Sequence, residues 1–281
     1  MDAASSGHLT LGWLTLIDAP PADVVSAAAA GGFEAVGIRT TGRKLSDSYY
    51  PVVGHPSSIR EIRRRLTDEG IRLSNASIYH LYPEITVDRV QPAIEAAAEL
   101  GAEIIVVTCM DPDEARWTGF IAACCERAGR FGIKLALEFV PYSQARSLEQ
   151  GCRIVRNAAQ PNFGLLVDSL HLARSGGTPG DLLNIDPDLI VFAQLCDAAR
   201  EKPDGIDLPT EARTGRLYPG DGELPLYAFL DSLPADIEFE VETPRSDLVD
   251  TTPGERALHA GEAARRFLAD YHRDRTAKRG P

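Results

Sequence analysis

Two apolar runs, Leu135-Ala136-Leu137-Glu138-Phe139-Val140 and Gly164-Leu165-Leu166-Val167-Asp168, enclose a stretch of helical spacing from Ser147 to Ala158. Both runs are hydrophobic on either face, as parallel strands covered by helices must be. The strand–helix–strand unit they form repeats in both directions along the chain. Further strands are expected at Leu9–Leu16, Ala35–Arg39, Leu73–Ile78, Ile104–Cys109, Ile190–Leu195 and Ile237–Thr243. Helices are expected at Ala22–Ala30, Ser57–Glu69, Val87–Leu100, Asp113–Phe131, Pro179–Leu183, Leu226–Leu233 and Gly254–Tyr271. Several of them close on a glycine just before the next strand, at Gly31-Gly32, Gly70, Gly101 and Gly132.

Eight such units in 281 residues come to roughly 35 residues each, the scale of a (β/α)8 TIM barrel of about 250 residues with insertions. A doubly wound open sheet fits less well. It usually opens on a glycine-rich turn for a nucleotide, and Leu16-Ile17-Asp18-Ala19-Pro20 offers none. The expected organisation is therefore of the α/β class, a single (β/α)8 TIM barrel over residues 1–271, followed by a basic, flexible tail from His272 to Pro281. The irregular stretch from Ala198 to Gly222 is longer than an ordinary connection, so it is read as functional or disordered.

The chain carries 41 acidic and 29 basic side chains, for a net charge of −12, and is 44% hydrophobic, an ordinary balance for a soluble globular protein. This acidity disfavours nucleic acid and anionic membranes as partners, because phosphates attract basic surfaces. No apolar run approaches the roughly 18–20 residues of a membrane-spanning helix. Met1 to Leu16 shows neither a basic n-region nor a small-residue cleavage site, which argues against a secretory leader. The 5 cysteines form no CxxC pair and read as reduced thiols of a cytoplasmic protein.

In a barrel of this kind the chemistry sits at the C-terminal ends of the strands. Strand five ends in Leu137-Glu138-Phe139, strand six runs through Val167-Asp168-Ser169-Leu170-His171, strand seven holds Ala193-Gln194-Leu195, and strand eight holds Glu240-Val241-Glu242. A buried carboxylate costs several kcal/mol unless it is paired or binds a metal. Acids converging on one mouth would repel one another, and a divalent cation is the simplest remedy. Oxygen ligands favour Mg²⁺ or Mn²⁺ over zinc. Pairing of these acids with Arg39, Arg174 or Arg216 is the competing explanation.

Glu138 in LALEFVP, Asp168 and His171 in LLVDSLH, Gln194 in FAQLCDA and Glu242 in FEVETP resemble the xylose isomerase-like barrel superfamily of sugar isomerases and epimerases. That group has hydroxypyruvate isomerase-like and 3-dehydroshikimate dehydratase-like relatives. Arg216-Leu217-Tyr218-Pro219-Gly220-Asp221-Gly222-Glu223 is similar to the superfamily's R-x-x-P-G-x-G-E loop. The resemblance spans nearly the whole chain in one order. It implies that Glu138, Asp168, Gln194 and Glu242 hold one divalent ion, with Glu240 an alternative last ligand. Gln at position 194, where many epimerases carry His, points toward the isomerase-like and dehydratase-like branches.

The chemistry implied is proton abstraction beside a carbonyl and stabilisation of an enediolate by the ion. Glu138 or Glu242 would move the proton. His171 would hydrogen-bond a substrate oxygen or protonate a departing hydroxyl. Arg216 would bind a substrate oxygen, carboxylate or phosphate. His80 and Arg39, each at a strand end, and Trp13, as a wall for a sugar face, are further candidates for substrate binding. Asp197 is a candidate orienter of Gln194.

The expected activity is a metal-dependent isomerase or epimerase of a small sugar or hydroxy-ketone. A dehydratase (lyase) of a cyclic keto-polyol is the alternative, and a non-catalytic binding subunit a second one. Barrels of this group often pair, so a homodimer is expected. Endonuclease-like relatives use several histidines around zinc. This chain has 6 histidines, and only His171 stands at a ligand-type position.

Overall fold

A computed structural model of the protein describes residues 9–47 and 49–279. The reading of Met1–Leu16 therefore falls partly, and the end of the expected tail wholly, outside the described residues. Eight parallel strands close into a barrel in sequence order. They are β1 Leu9–Leu11, β2 Ala35–Arg39, β3 Arg72–Ser77, β4 Ile104–Val107, β5 Lys134–Glu138, β6 Phe163–Asp168, β7 Ile190–Leu195 and β8 Phe239–Val241. Ten helices lie among the described residues: α1 Pro21–Ala30, α2 Pro56–Glu69, α3 Val87–Leu100, α4 Glu114–Gly129, α5 Leu148–Ala158, α6 Ser169–Arg174, α7 Pro179–Leu182, α8 Leu208–Thr214, α9 Leu226–Asp231 and α10 Pro253–Arg279. The fold is the single (β/α)8 TIM barrel that the strand–helix repeat predicts. Among the described residues no helix is long and apolar enough to cross a membrane.

Successive side chains on a strand point to opposite faces, and this alternation divides the core. Val36, Ile38, Ile105, Val107, Leu135, Leu137, Leu165, Val167, Leu195 and Val241 face outward into the large cluster that packs against the helices. Ile104, Val106, Ala136, Leu166 and Phe192 form a separate cluster inside the barrel. One step further along the same faces come Thr108, Glu138, Asp168 and Gln194. The apolar plug inside the barrel is thus the floor beneath the polar mouth.

Three expectations need correction. The first strand ends at Leu11, and Trp13–Leu16 winds into a 3-10 turn, because Gly12 turns the chain and the Thr15 N–H donates to its carbonyl at 3.1 Å. The irregular stretch after β7 contains α8, started by Asp207, whose side chain accepts the Thr210 N–H. The segment from His272 continues α10 to Arg279. Arg275 holds it down: its guanidinium lies over the rings of Tyr227 and Tyr271 and pairs with Asp231 at 2.5 Å.

Candidate active site at the barrel mouth

The mouth gathers side chains from the strand ends and the loops that follow them. Its lining includes Trp13, Arg39, Arg43, Ser77, His80, Thr108, Glu138, Tyr142, His171, Gln194, Arg213, Arg216 and Glu242. Asp168 lies just behind, at the end of β6. It also caps α6, accepting the His171 N–H at 2.8 Å. That capping turn is the local reason His171 stands in the site: a residue three positions after the cap is brought back beside it.

Arg216, on the loop between α8 and α9, is the central cation. It is 1% exposed. Nη1 donates to Asp168 Oδ2 at 2.6 Å and to the Glu242 carbonyl at 3.3 Å, while Nη2 lies 3.5 Å from both Glu242 Oε2 and His171 Nε2. Its Nε is fixed by the Ala212 carbonyl of α8 at 2.8 Å. Arg216 therefore does pair Asp168, one of the competing explanations for these acids. Arg174 does not: it pairs with buried Glu211 at 2.7 Å.

The acids are in unequal states. Burial pushes Asp168 up, but Arg216, His171 and the capping N–H overcome it and leave its pKa below the usual carboxylate range. Glu138 is raised to about 7, first by burial and then by the charge of Asp168. Burial raises Glu242 well above its ordinary value, with Glu240, Glu138 and Asp168 adding to the effect and Arg216 opposing it. Burial and Arg216 lower His171 to about 4, so it is neutral at pH 7. Its ring stands edge-on to Tyr142, with centroids 5.8 Å apart.

The two candidates for the last ligand separate cleanly. Glu242 lines the mouth. Glu240 is fully buried one layer below, where it accepts N–H groups from Gln194 at 2.8 Å and Asn75 at 2.6 Å. The Gln194 amide nitrogen is thus spent on Glu240, while its Oε1 is buried and has no partner. Three acids of which two hold raised pKa values, together with an orphaned amide oxygen, form a donor set that fits a hard divalent cation. Among the described residues no three His, Cys, Asp or Glu side chains are gathered closely enough to hold an ion as they stand. Glu138 has room to adjust, because its contacts to Thr108 and His171 are long, at 3.3 and 3.5 Å.

Around this acidic centre runs a basic rim. Arg39 is buried, donates to the carbonyls of Thr41 and Ile78, and stacks on the Trp13 ring at 5.0 Å. Trp13 thus reaches the mouth from the 3-10 turn and not from a strand. Burial lowers Arg39 to about 10, which leaves it charged at neutral pH. Arg43, from the loop after β2, and Arg213, from α8, complete the rim. Among the described residues none of the three is ion-paired. Burial, followed by these arginines, drives His80 down to about 3, so it is a neutral polar group.

Glu138, Glu242, His171, Gln194, Arg216, Arg39, His80 and Trp13 therefore stand together at one mouth, with Asp168 directly behind. Asp197 does not orient Gln194. Its carboxylate accepts the N–H groups of Ala198, Gly220, Gly222 and Leu224 and so anchors the loop that carries Arg216. Sequence reasoning does not find Asn75, Arg43, Arg213 or Tyr142. Asn75 sits among other polar residues of β3, Arg72, Ser74 and Ser77, so its place inside the barrel leaves no trace in the sequence; the other three lie where no periodicity marks them.

Residues 25–270 match the model of a family described as the xylose isomerase-like TIM barrel. The chain belongs to that family. A 3-dehydroshikimate dehydratase of Pseudomonas putida is 26% identical over 220 residues, covering 73% of this chain and 33% of the relative. An inosose isomerase of Bacillus subtilis is 32% identical over 105 residues, covering 37% of this chain and 36% of the relative. This xylose isomerase-like chain thus spans about a third of the length of these curated relatives. A solved structure of the IOLI protein with a bound zinc atom superposes with a TM-score of 0.77 at 19% identity, covering 94% of this chain and 99% of the other, which establishes likeness of fold.

Proposed function

We propose that this xylose isomerase-like barrel is a divalent-metal-dependent enzyme acting on a small keto-polyol that carries a carboxylate, and that it removes water from it. The basic rim carries the proposal. A neutral sugar gives no reason to line a mouth with Arg39, Arg43 and Arg213, none of them ion-paired among the described residues. An anion does, because charge-assisted bonds from Arg to carboxylate are among the strongest polar contacts. The 3-dehydroshikimate dehydratase relative supports the same class of substrate.

Glu138, Asp168, Gln194 and Glu242 would hold the ion, Mg²⁺ or Mn²⁺ by the hardness of the oxygen donors. When bound, it supplies Lewis acidity toward the substrate carbonyl. The remaining chemistry falls to the chain. Glu138 takes the proton from the carbon beside the carbonyl. The C–H electron pair becomes the new double bond as the β C–O bond breaks. The departing hydroxyl receives the proton from the Glu138 carboxyl and leaves as water, which regenerates the carboxylate. His171, which burial and Arg216 hold neutral in the metal-free protein, would orient the departing oxygen by a hydrogen bond. Arg39 with Trp13 and the other rim arginines would fix the substrate carboxylate.

The inosose isomerase relative supports a second reading, in which the same abstraction is followed by proton return to carbon and gives isomerisation or epimerisation. The rim separates the two. Arg43→Ala is expected to raise KM for a carboxylated keto-polyol such as 3-dehydroshikimate at least tenfold, the scale of one charge-assisted contact, with kcat changed less than threefold. Wild-type turnover of neutral inosose at an equal or higher kcat/KM, unaffected by Arg43→Ala, would contradict the proposal.

A further inference from the structure

Inside the barrel, the layer beneath the mouth is divided. On one side Val106, Ala136, Leu166 and Phe192 fill it with hydrocarbon. On the other side stand Glu240 and Asn75, both buried, against two glycines. A Cβ at Gly37 would lie 2.3 Å from Glu240 Oε2, and one at Gly12 would lie 2.9 Å from Glu240 Oε1. Any larger residue on β2 at this point would evict the carboxylate. Space has thus been left inside a hydrophobic barrel for an acid that does not reach the mouth, and burying it costs several kcal/mol unless it is well bonded.

Its bonds show what it does. Each oxygen takes one amide N–H: Oε1 from Gln194 Nε2 at 2.8 Å and Oε2 from Asn75 Nδ2 at 2.6 Å. A primary amide is nearly symmetric in shape, so packing alone cannot decide whether Gln194 shows its oxygen or its nitrogen to the mouth. The ionised Glu240 carboxylate below it decides the matter, because in that form it accepts the Gln194 N–H and has no proton to donate. The amide nitrogen turns down to Glu240, and Oε1 is left upward without a partner.

We infer that Glu240 is a positioning residue, steadied by Asn75, that locks the Gln194 side-chain amide so that its oxygen faces the mouth with its lone pairs free. The part of the inference concerning the ion rests on the reading of Gln194 as a metal ligand; the lock itself does not. Glu240→Gln tests it, since the substituted side chain can donate to Gln194 and allow that amide to turn over. In ¹H–¹⁵N spectra of the metal-free protein, the Gln194 side-chain NH₂ pair is assigned by its loss in Gln194→Glu. It is expected to exchange slowly with solvent, and Glu240→Gln is expected to speed that exchange at least tenfold and shift the signals. Asn75→Ala should move the same signals less, which covers the case in which Glu240→Gln fails to fold.

Mn²⁺ affinity, read by electron paramagnetic resonance, should fall about 10–100-fold in Glu240→Gln, the range found when partners of metal ligands are removed. The swap Gln194→Glu with Glu240→Gln keeps a hydrogen bond between the two side chains and returns an oxygen to the mouth, so it should recover affinity to within threefold of wild type. An unchanged Gln194 amide signal in both Glu240→Gln and Asn75→Ala overturns the inference. If wild-type protein fails to bind Mn²⁺, the metal reading falls, and the amide spectra still decide the lock.

Discussion

Arg216→Met is expected to abolish turnover and to destabilise the protein by about 3–5 kcal/mol, the range seen when one partner of a buried ion pair is removed. The size follows from what the guanidinium leaves behind. Asp168, 2.6 Å away and fully buried, keeps its charge because Arg216, together with His171 and the capping N–H, outweighs the burial that would neutralise it. Glu242, 3.5 Å away, loses the one influence that lowers its pKa. The Met side chain replaces the volume but no charge and none of the donors. Chemical denaturation of the metal-free variant checks the loss. Combining Arg216→Met with Asp168→Asn should recover a substantial part of it, because the stranded charge has then been removed. A strictly additive double variant would mean that Arg216 acts through packing, not through Asp168.

Glu138→Gln carries the second large effect, and it points in opposite directions for activity and stability. Removing the proposed base should lower kcat by about 10²–10⁴-fold. The stability effect follows from linkage. Burial and Asp168 raise Glu138 to about 7, so its contribution to stability is full below the ordinary carboxylate pKa of about 4.5 and is lost as pH rises through 7. At pH 8 the metal-free protein therefore holds an ionised carboxylate where folding disfavours one, at a cost of about 3 kcal/mol by the free-energy equivalent of a pKa shift. Glu138→Gln removes that cost. The metal-free variant should melt higher than wild type at pH 8 and equal to it at pH 4.5. A variant that is inactive and also less stable at pH 8 would show that Glu138 is a structural residue.

The fold was readable because its signal is repeated: eight short apolar runs separated by helical spacing admit few arrangements, and an error of two residues at a strand end leaves the topology unchanged. The polar strand ends were readable for a related reason. Glu138, Asp168 and Gln194 each interrupt a hydrophobic run at its end, while Glu242 follows a stretch in which acids alternate with Ile237, Phe239 and Val241. Residues left unmarked, or placed on the wrong element or layer, have a physical cause in each case. Trp13 reaches the site from a 3-10 turn made possible by Gly12, and three apolar residues out of four in that turn look like more strand. Arg43 comes from a loop and Arg213 from a short helix inside one, where no periodicity marks which way a side chain points. Glu240 has the same parity as Glu242 on β8, and only the layer in which each lies tells them apart. Arg275 turned an apparently polar tail into helix through contacts with α9 that lie far away in sequence.

The most direct test of the central claim is to incubate purified, metal-stripped protein with 3-dehydroshikimate, with and without Mn²⁺ or Mg²⁺, in D₂O. Proton abstraction followed by loss of water should appear as a rise in ultraviolet absorbance from a conjugated product, dependent on the divalent ion and absent in Glu138→Gln. Deuterium entering recovered substrate or an isomer without any rise in absorbance would contradict dehydration and favour the isomerase reading. No exchange and no absorbance change with either ion, for this substrate and for inosose, would contradict the proposed proton chemistry at the barrel mouth.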